Sequence, residues 1–119
     1  MSTAVSTNLQ DLFGSKAAEA VLLALFHQGE AYGRAIARDF GLPVLTVQRQ
    51  LDRFERAGAL VCKQQGRTLV YSWNPKSRMA SRLKDLVAVA YDSLGPELKQ
   101  QLFAVRRQPR AKDKPVIRK

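Results

Sequence analysis

The side chains that usually carry out covalent or acid–base chemistry are scarce in this sequence. It contains one histidine, His27, and one cysteine, Cys62. The run Gly14-Ser15-Lys16 lacks the upstream glycine of a phosphate-binding loop, and no pair of carboxylates is spaced to converge. A lone cysteine forms neither an internal disulfide nor a paired-cysteine metal site. We therefore expect no catalysis, no metal and no cofactor. Cys62 is expected to be an inert packing residue, and the alternative is a redox sensor.

Positive charge is the dominant chemical feature, and it is unevenly distributed. The 119 residues include 20 Lys and Arg against 10 Asp and Glu, which gives a net charge of +10. Residues 33–82 hold ten basic and three acidic side chains, and residues 106–119 hold seven basic and one acidic. Solubility alone does not require such segregation, whereas binding to a polyanion does. The C-terminal run either follows a nucleic-acid backbone, with affinity that salt weakens, or only aids solubility.

The segment VLTVQRQLDRFERA, residues 44–57, presents the donors that a nucleic-acid reader needs. At about 100° per residue its apolar side chains form one arc and its polar side chains the opposite arc. In the major groove, arginine donates two bonds to guanine, glutamine pairs with adenine, and an apolar side chain or a threonine methyl contacts the thymine methyl. The residues predicted to contact bases are Leu45, Thr46, Gln48, Arg49 and Arg53. The alternative is a solvated surface with ordinary Gln48–Asp52 and Asp52–Arg56 pairs.

Helical spacing of apolar residues predicts the elements that position this segment. The predicted helices lie at about 16–28, 33–40, 44–57 and 76–94, followed by a last helix that ends near Val105. Ser15 and Gly29 are the expected caps of the first helix. The second helix stops at Gly41, and the third begins around Pro43, because proline pre-sets its own φ. Two short helices joined by such a turn form a helix-turn-helix unit.

A predicted β-hairpin follows that unit directly. Residues 60–65 and 68–73 are rich in β-prone side chains and flank Gly66-Arg67, which predicts a hairpin, the "wing". Tyr71 and Trp73 are expected to pack in the core and not to stack on bases. The residues predicted to contact the DNA backbone or minor groove are Arg34, Arg38, Arg56, Lys63 and Arg67. The predicted fold class is mainly α with a small β-hairpin (α+β).

Residues 11–95 resemble winged helix-turn-helix regulators of the ArsR-like class. The resemblance depends on the apolar and glycine pattern from Ile36 to Val61 and on the wing Gly66-Arg67 with Tyr71. The LFGSKA opening, residues 12–17, is similar to a subset of that class. Two features depart from the class: Pro43 stands where a Ser or Thr N-cap is usual, and the paired metal-sensing ligands are absent from the sequence.

The resemblance implies a homodimer built from the terminal helices. Independently, the apolar stripe on residues 79–94 and the apolar side chains near the N-terminus need a surface to bury against. The residues predicted at the dimer interface are Leu9, Leu12, Phe13, Leu83, Leu86, Val87, Ala90, Leu94, Leu98 and Leu102. The predicted domains are a winged helix-turn-helix at 9–75, a helical dimerisation segment at 76–106 and a basic tail, expected to be disordered, at 107–119.

The sequence thus predicts a dimeric, sequence-specific regulator that binds double-stranded DNA, in the manner of a repressor. We expect a cytoplasmic protein that does not bind a membrane, since no apolar run approaches the ~20 residues of a span and the start of the chain does not resemble a secretory signal. The alternative is a winged-helix adaptor or antitoxin-like subunit that docks a protein. No residue indicates a small-molecule effector.

Overall fold

The structure is a computed structural model, and it describes residues 7–97 and 99–100. Within these residues, two short helices are followed directly by a β-hairpin, which is the arrangement expected for a winged helix. The elements are α1 (Asn8–Phe13), α2 (Lys16–Gln28), β1 (Glu30–Ala31), α3 (Gly33–Phe40), α4 (Val44–Arg56), β2 (Leu60–Gln65), β3 (Thr68–Trp73) and α5 (Arg78–Asp92). The predicted mainly α fold class with a small β-hairpin is confirmed.

Helix α2 forms the centre of the core because it is apolar on most of its sides. Residues 17–25 are all buried. The Ser15 hydroxyl accepts a hydrogen bond from the Ala18 amide at 3.0 Å, and Gly29 follows the helix with a φ of 83°. Both predicted caps are therefore confirmed, and α2 provides the surface on which the other helices pack.

Helices α3 and α4 form the helix-turn-helix unit. Gly41 ends α3 in the left-handed conformation, where glycine carries no steric penalty. Pro43, with a φ of −63°, directly precedes Val44, the first residue of α4, and no side chain caps that helix. The missing Ser or Thr cap thus leaves the start of α4 at the predicted position.

A three-stranded antiparallel sheet in the order β1-β3-β2 forms the wing and its base. The hairpin register pairs Cys62 with Tyr71. Strand β1, which was not predicted, has two residues, and Ala31 pairs with Tyr71. Tyr71 therefore lies on the central strand, between two backbone neighbours.

Helix α1 was also not predicted. Thr7 is its N-cap, and the Thr7 hydroxyl accepts a hydrogen bond from the Leu9 amide at 3.1 Å. Leu9 is buried, and the Phe13 ring meets the Phe54 ring edge-on with centroids 6.0 Å apart. The N-terminal segment therefore packs on its own subunit as well as exposing part of its surface.

Helix α5 is shorter than predicted at both ends. Residues 74–76 form a turn, in which the Lys76 amide donates to the Asn74 side chain at 3.0 Å, and Ser77 caps the helix. Residues 96–97 and 99–100 are again helical, whereas Val105 and the basic segment 107–119 lie outside the described residues. No helix in the described part of the chain is long and apolar enough to cross a bilayer.

Candidate nucleic-acid interface

Helix α4 separates its apolar and polar side chains onto opposite faces. Val47 and Leu51 are fully buried against the core, because residues four apart lie on one face of a helix. Arg49 and Arg53 are exposed on the other face, as is Leu45, with 62% of its surface accessible. Three of the five predicted base-contacting residues therefore project from the subunit together, and Thr46 is half-buried beside them.

The wing places the basic side chain of Arg67 across a cleft from α4. Gly66 takes a φ of 62° at the hairpin turn, a conformation that glycine adopts freely. The Gln64 side chain donates to the Gly66 carbonyl at 3.2 Å, which braces the turn. Arg67 is therefore exposed at the tip of a defined hairpin.

An open cleft of about 710 Å³ lies between the wing and the N-terminal ends of α3 and α4. Two of its lining residues are the predicted backbone contacts Arg34 and Arg67. The other lining residues are Tyr32, Gly33, Val44, Gln48, Thr68 and Leu69. The cleft combines two guanidinium groups with apolar side chains, so it suits a ligand that is both anionic and partly apolar.

The other predicted backbone residues are exposed outside the cleft. Arg56 is at the end of α4 and Lys63 on β2. Arg38 is on α3, where its Nε lies 3.5 Å from an Asp39 carboxylate oxygen. The cleft residues Val44 and Leu69 were not predicted, although both are large apolar side chains that stay 46% and 45% exposed. Val44 belongs to the apolar arc of α4 that was expected to face the core, so no sequence signal pointed to it, whereas Leu69 is an apolar side chain in the predicted wing.

Gln48 is placed differently from its prediction as a base-reading residue. Its Nε2 donates to the Tyr71 hydroxyl at 2.7 Å and to the Asp52 carboxylate at 3.1 Å. An amide nitrogen has two N–H donors, so both are used within the subunit. The predicted alternative of a Gln48–Asp52 pair is confirmed, and the base-reading role of Gln48 does not fit this geometry.

Tyr71 is buried in the core, as predicted, with 1% of its surface exposed. Burial raises the pKa of its hydroxyl well above the ordinary value, and the hydrogen bond to Asp52 raises it further, whereas the hydrogen bond from Gln48 lowers it. The group is therefore a neutral O–H donor at neutral pH, and it donates to Asp52 at 3.1 Å. Half-buried Trp73 donates from its indole to the Leu25 carbonyl at 3.3 Å.

The two residues that could react are held by ordinary packing. Cys62 is half-buried and packs against the core. His27 is exposed, and its Nδ1 lies 2.7 Å from the Tyr91 hydroxyl. Among the described residues, no group of three or more His, Cys, Asp or Glu side chains is placed to hold a metal ion.

Of the ten residues predicted at a dimer interface, three are buried and two are exposed. Leu9, Val87 and Leu94 are buried inside their own subunit, with 1%, 0% and 6% exposure. The prediction for these three residues is corrected, because side chains that are buried in their own subunit have no surface left to offer a second chain. Leu12 and Leu86 are exposed.

The remaining predicted interface residues are half-buried or lie outside the described residues. Phe13, Leu83 and Ala90 are half-buried against the core. Leu98 and Leu102 lie outside the described residues. Met79 and Val89, which were not in the predicted set, are 55% and 70% exposed. Helix α5 therefore has an exposed apolar surface, but this surface only partly coincides with the predicted stripe.

Comparison with known proteins identifies the fold. No protein-family model matches the sequence, and no curated protein matches it. Solved structures do match, and they include regulators with a winged helix, the class of fold to which the described residues belong.

Three of these structures illustrate the likeness. The YusO protein from Bacillus subtilis is 15% identical with a TM-score of 0.55, over 88% of this chain and 82% of that chain. A transcriptional regulator of the MarR family from Rhodococcus sp. RHA1 is 17% identical with a TM-score of 0.55, over 87% and 79%. Overoxidized AbfR bound to DNA is 22% identical with a TM-score of 0.53, over 86% and 76%. At these identities the likeness establishes the fold.

Proposed function

We propose that this protein is a sequence-specific regulator of transcription that binds double-stranded DNA as a homodimer, in the manner of a repressor. Helix α4 is the recognition helix in the major groove, and Arg67 of the wing contacts the backbone or the minor groove. The observation that carries the proposal is the arginine-walled cleft beside the exposed face of α4. AbfR, which shares the fold, has been solved bound to DNA, and this adds support.

The cleft fits the sugar–phosphate strand that separates the two grooves. A protein with a helix in the major groove and a wing at the minor groove must straddle that strand. Arg34 and Arg67 stand on the walls of the cleft, where guanidinium groups form charge-assisted bonds to phosphate oxygens. Helix α4 begins at Val44 on the same cleft without a side-chain cap, so its positive dipole end also favours a phosphate.

The base-reading set in this proposal is smaller than the set from the sequence. The proposal assigns base contacts to Leu45, Thr46, Arg49 and Arg53, and it is supported by the fact that none of them is buried. The Arg53 guanidinium donates to the Gln50 side chain at 3.1 Å, an exposed contact that DNA can replace. The remaining predicted backbone contacts, Arg38, Arg56 and Lys63, would contact phosphates beside the cleft.

The homodimer in the proposal is supported by helix α5. Its large aliphatic side chains span nearly half of the helix circumference, counting about 100° per residue. One part of that arc, with Leu83 and Val87, packs against the core. The other part exposes Met79, Leu86 and Val89, and a second copy would bury it. To enter successive major grooves on one face of DNA, the two recognition helices of such a dimer would have to lie about 34 Å apart.

Two alternatives carry less support. The ArsR-like class rests on the sequence resemblance, whereas the solved structures with the same fold include a MarR-family regulator, so we propose the regulator function without choosing the class. A protein-docking adaptor would use the exposed Leu45, but it leaves the paired arginines of the cleft without a role. Catalysis is not part of the proposal.

Binding to duplex DNA tests the proposal directly. Duplexes selected from a random pool by the wild-type protein should be bound with a steep salt dependence. Five phosphate contacts per subunit predict a slope of log K against log salt of about −4.5 for each subunit. Arg49→Ala should relax the base preference at one position of the selected site, at a cost of about 1–3 kcal/mol. Lys84→Ala removes the same charge from α5 and is the control.

Removal of residues 107–119 provides a second measurement. If the basic tail follows the backbone, its loss should weaken all sequences alike. A flat salt dependence, or an Arg49→Ala profile identical to that of Lys84→Ala, would contradict the proposal. Stoichiometric co-purification of a protein partner without DNA retardation would favour the adaptor instead.

A further inference from the structure

Three polar side chains form a closed hydrogen-bonded triangle between the recognition helix and the wing. Gln48 and Asp52 lie one turn apart on α4, and Tyr71 lies on β3. The Gln48 amide donates to the Tyr71 hydroxyl at 2.7 Å and to the Asp52 carboxylate at 3.1 Å. The Tyr71 hydroxyl donates to the same Asp52 oxygen at 3.1 Å. Every donor of the triangle thus meets an acceptor within it.

The surroundings of the triangle fix it in place. Tyr71 pairs with Cys62 on one side and with Ala31 on the other, so its ring projects from the middle of the sheet. Gln48 approaches the backbone of α3 so closely that its Oε1 lies 2.7 Å from where a Cβ on Gly33 would be. Helices α3 and α4 and the central strand therefore meet at one amide group.

We propose that Tyr71 is a positioning residue that sets the orientation of α4 relative to the wing, and that Gln48 and Asp52 serve this orientation instead of reading a base. The inference rests on the proposed function. The physical reason is that two α4 residues on one helix face are held by a single buried hydroxyl, which opposes rotation of α4 about its axis. Rotation of α4 would change the position of Arg49 relative to Arg67 on the wing. Recognition requires the contacting side chains to be positioned to within about 1 Å.

The first test compares two tyrosine hydroxyls that each lie within hydrogen-bond distance of another side chain. Tyr71→Phe removes only the hydroxyl from the triangle. Tyr91→Phe removes a hydroxyl that is also 2.7 Å from its partner, His27, but lies on α5, and it is the matched control. Affinity is measured for a selected duplex and for a scrambled duplex of the same length.

The positioning role predicts a loss confined to specific binding. Tyr71→Phe should weaken binding to the selected duplex about 5-fold, the size expected for one hydrogen bond. Binding to the scrambled duplex should not change, because it depends on phosphate contacts. Tyr91→Phe should leave both affinities as in the wild type. An equal loss on both duplexes, or no loss on either, would overturn the proposal.

The second test separates a positioning role for Gln48 from base reading. Gln48→Leu is assayed against duplexes that each change one base pair of the selected site, alongside Arg49→Ala. A positioning residue should lower discrimination at several positions, whereas a base reader such as Arg49 should lower it at one. Gly33→Ala should resemble Gln48→Leu, because the added methyl displaces the Gln48 amide. Loss at a single position in Gln48→Leu would return Gln48 to the base-reading set.

The third test needs no DNA, so it distinguishes failure of this inference from failure of the proposed function. Amide hydrogen exchange is measured on the free full-length chain. In Tyr71→Phe, amides of α4 and β3 should exchange several-fold faster than in the wild type, while Tyr91→Phe should change neither element. Unchanged protection in Tyr71→Phe would sink the inference even if the wild type binds DNA. If Tyr71→Phe exchanges faster but the wild type binds no duplex, the proposed function is wrong. The recognition role assigned to the triangle would then be wrong as well.

Discussion

At the scale of the residue, the chemistry of Tyr71 depends on the loss of water around it. Burial raises the pKa of its hydroxyl, and the hydrogen bond to Asp52 adds to this rise. The ionised phenolate would have to face the Asp52 carboxylate inside the protein, which is unfavourable. The Tyr71 hydroxyl therefore stays protonated at neutral pH, where it donates a hydrogen bond to Asp52.

This protonation state predicts a loss of stability at alkaline pH. Because the pKa of Tyr71 is higher in the folded state than in the unfolded state, the folded state keeps a proton that the unfolded state releases above about pH 10. The free energy of unfolding should then fall by as much as about 1.4 kcal/mol per pH unit for this group. Urea unfolding of the wild type and Tyr71→Phe at pH 8 to 11 measures the difference.

Tyr71→Phe should show the shallower decline, since it has no such proton. Tyr91, whose pKa burial and the neighbouring Asp92 also raise, should contribute a second part of the decline, and Tyr91→Phe measures it. Identical slopes for the wild type and Tyr71→Phe would contradict the assignment of a protonated, buried hydroxyl.

Single residues also show where sequence reasoning ends. The outward direction of Leu45 and Arg49 followed from helical periodicity alone, because each helix position has a fixed angle. Gln48 lies on the flank of the same helix, and its direction depends on Tyr71, 23 residues later in the chain. That partner becomes visible only once the hairpin register and the packing of α4 are known.

At the scale of the element, helix α1 is held by a buried carboxylate. Glu19 is 2% exposed, and its Oε2 accepts from the Thr7 amide at 2.5 Å and from the Thr7 hydroxyl at 2.6 Å. Thr7 in turn caps α1. A six-residue helix is too short to be stable alone, so this anchor and the burial of Leu9 stabilise it.

Glu19→Ala should therefore destabilise the protein by about 3 kcal/mol, because it removes charge-assisted hydrogen bonds and leaves a void in the core. Urea unfolding measures this loss, and amide exchange should show α1 opening before α2. Glu19→Gln keeps an acceptor oxygen of similar shape and should lose less. A Glu19→Ala protein with the wild-type unfolding midpoint would show that α1 does not depend on this anchor.

The elements that sequence reasoning missed share one physical property. The bounds of α2 and α3 could be predicted from apolar spacing and from glycines at their ends, which are local signals. Helix α1 and strand β1 have six and two residues, too few for any periodicity. They depend on distant partners, Glu19 for α1 and Tyr71 with Ser72 for β1.

At the scale of the whole molecule, the two parts of the apolar arc on α5 decide how the subunit can assemble. Sequence reasoning found one stripe because it cannot tell which part of a wide apolar arc packs on the chain's own core. The structure divides this arc: Val87 is buried, whereas Leu86 and Val89 are exposed. The exposed part includes Val89, which has 70% of its surface accessible and therefore contributes little to the stability of a single subunit.

Val89→Glu should therefore break the proposed dimer without unfolding the subunit. A carboxylate in a dimer interface would be desolvated without a partner, which is strongly unfavourable. Sedimentation equilibrium should show a wild-type dimer at micromolar concentration and at least a 10-fold weaker association for Val89→Glu, with unchanged helical content. Ser81→Glu adds the same charge at an exposed position of α5 outside the apolar arc and should remain dimeric. This surface would be excluded as the interface if the wild type were monomeric or if Val89→Glu were as dimeric as Ser81→Glu. The proposed recognition helices would then need another means of reaching adjacent turns of DNA.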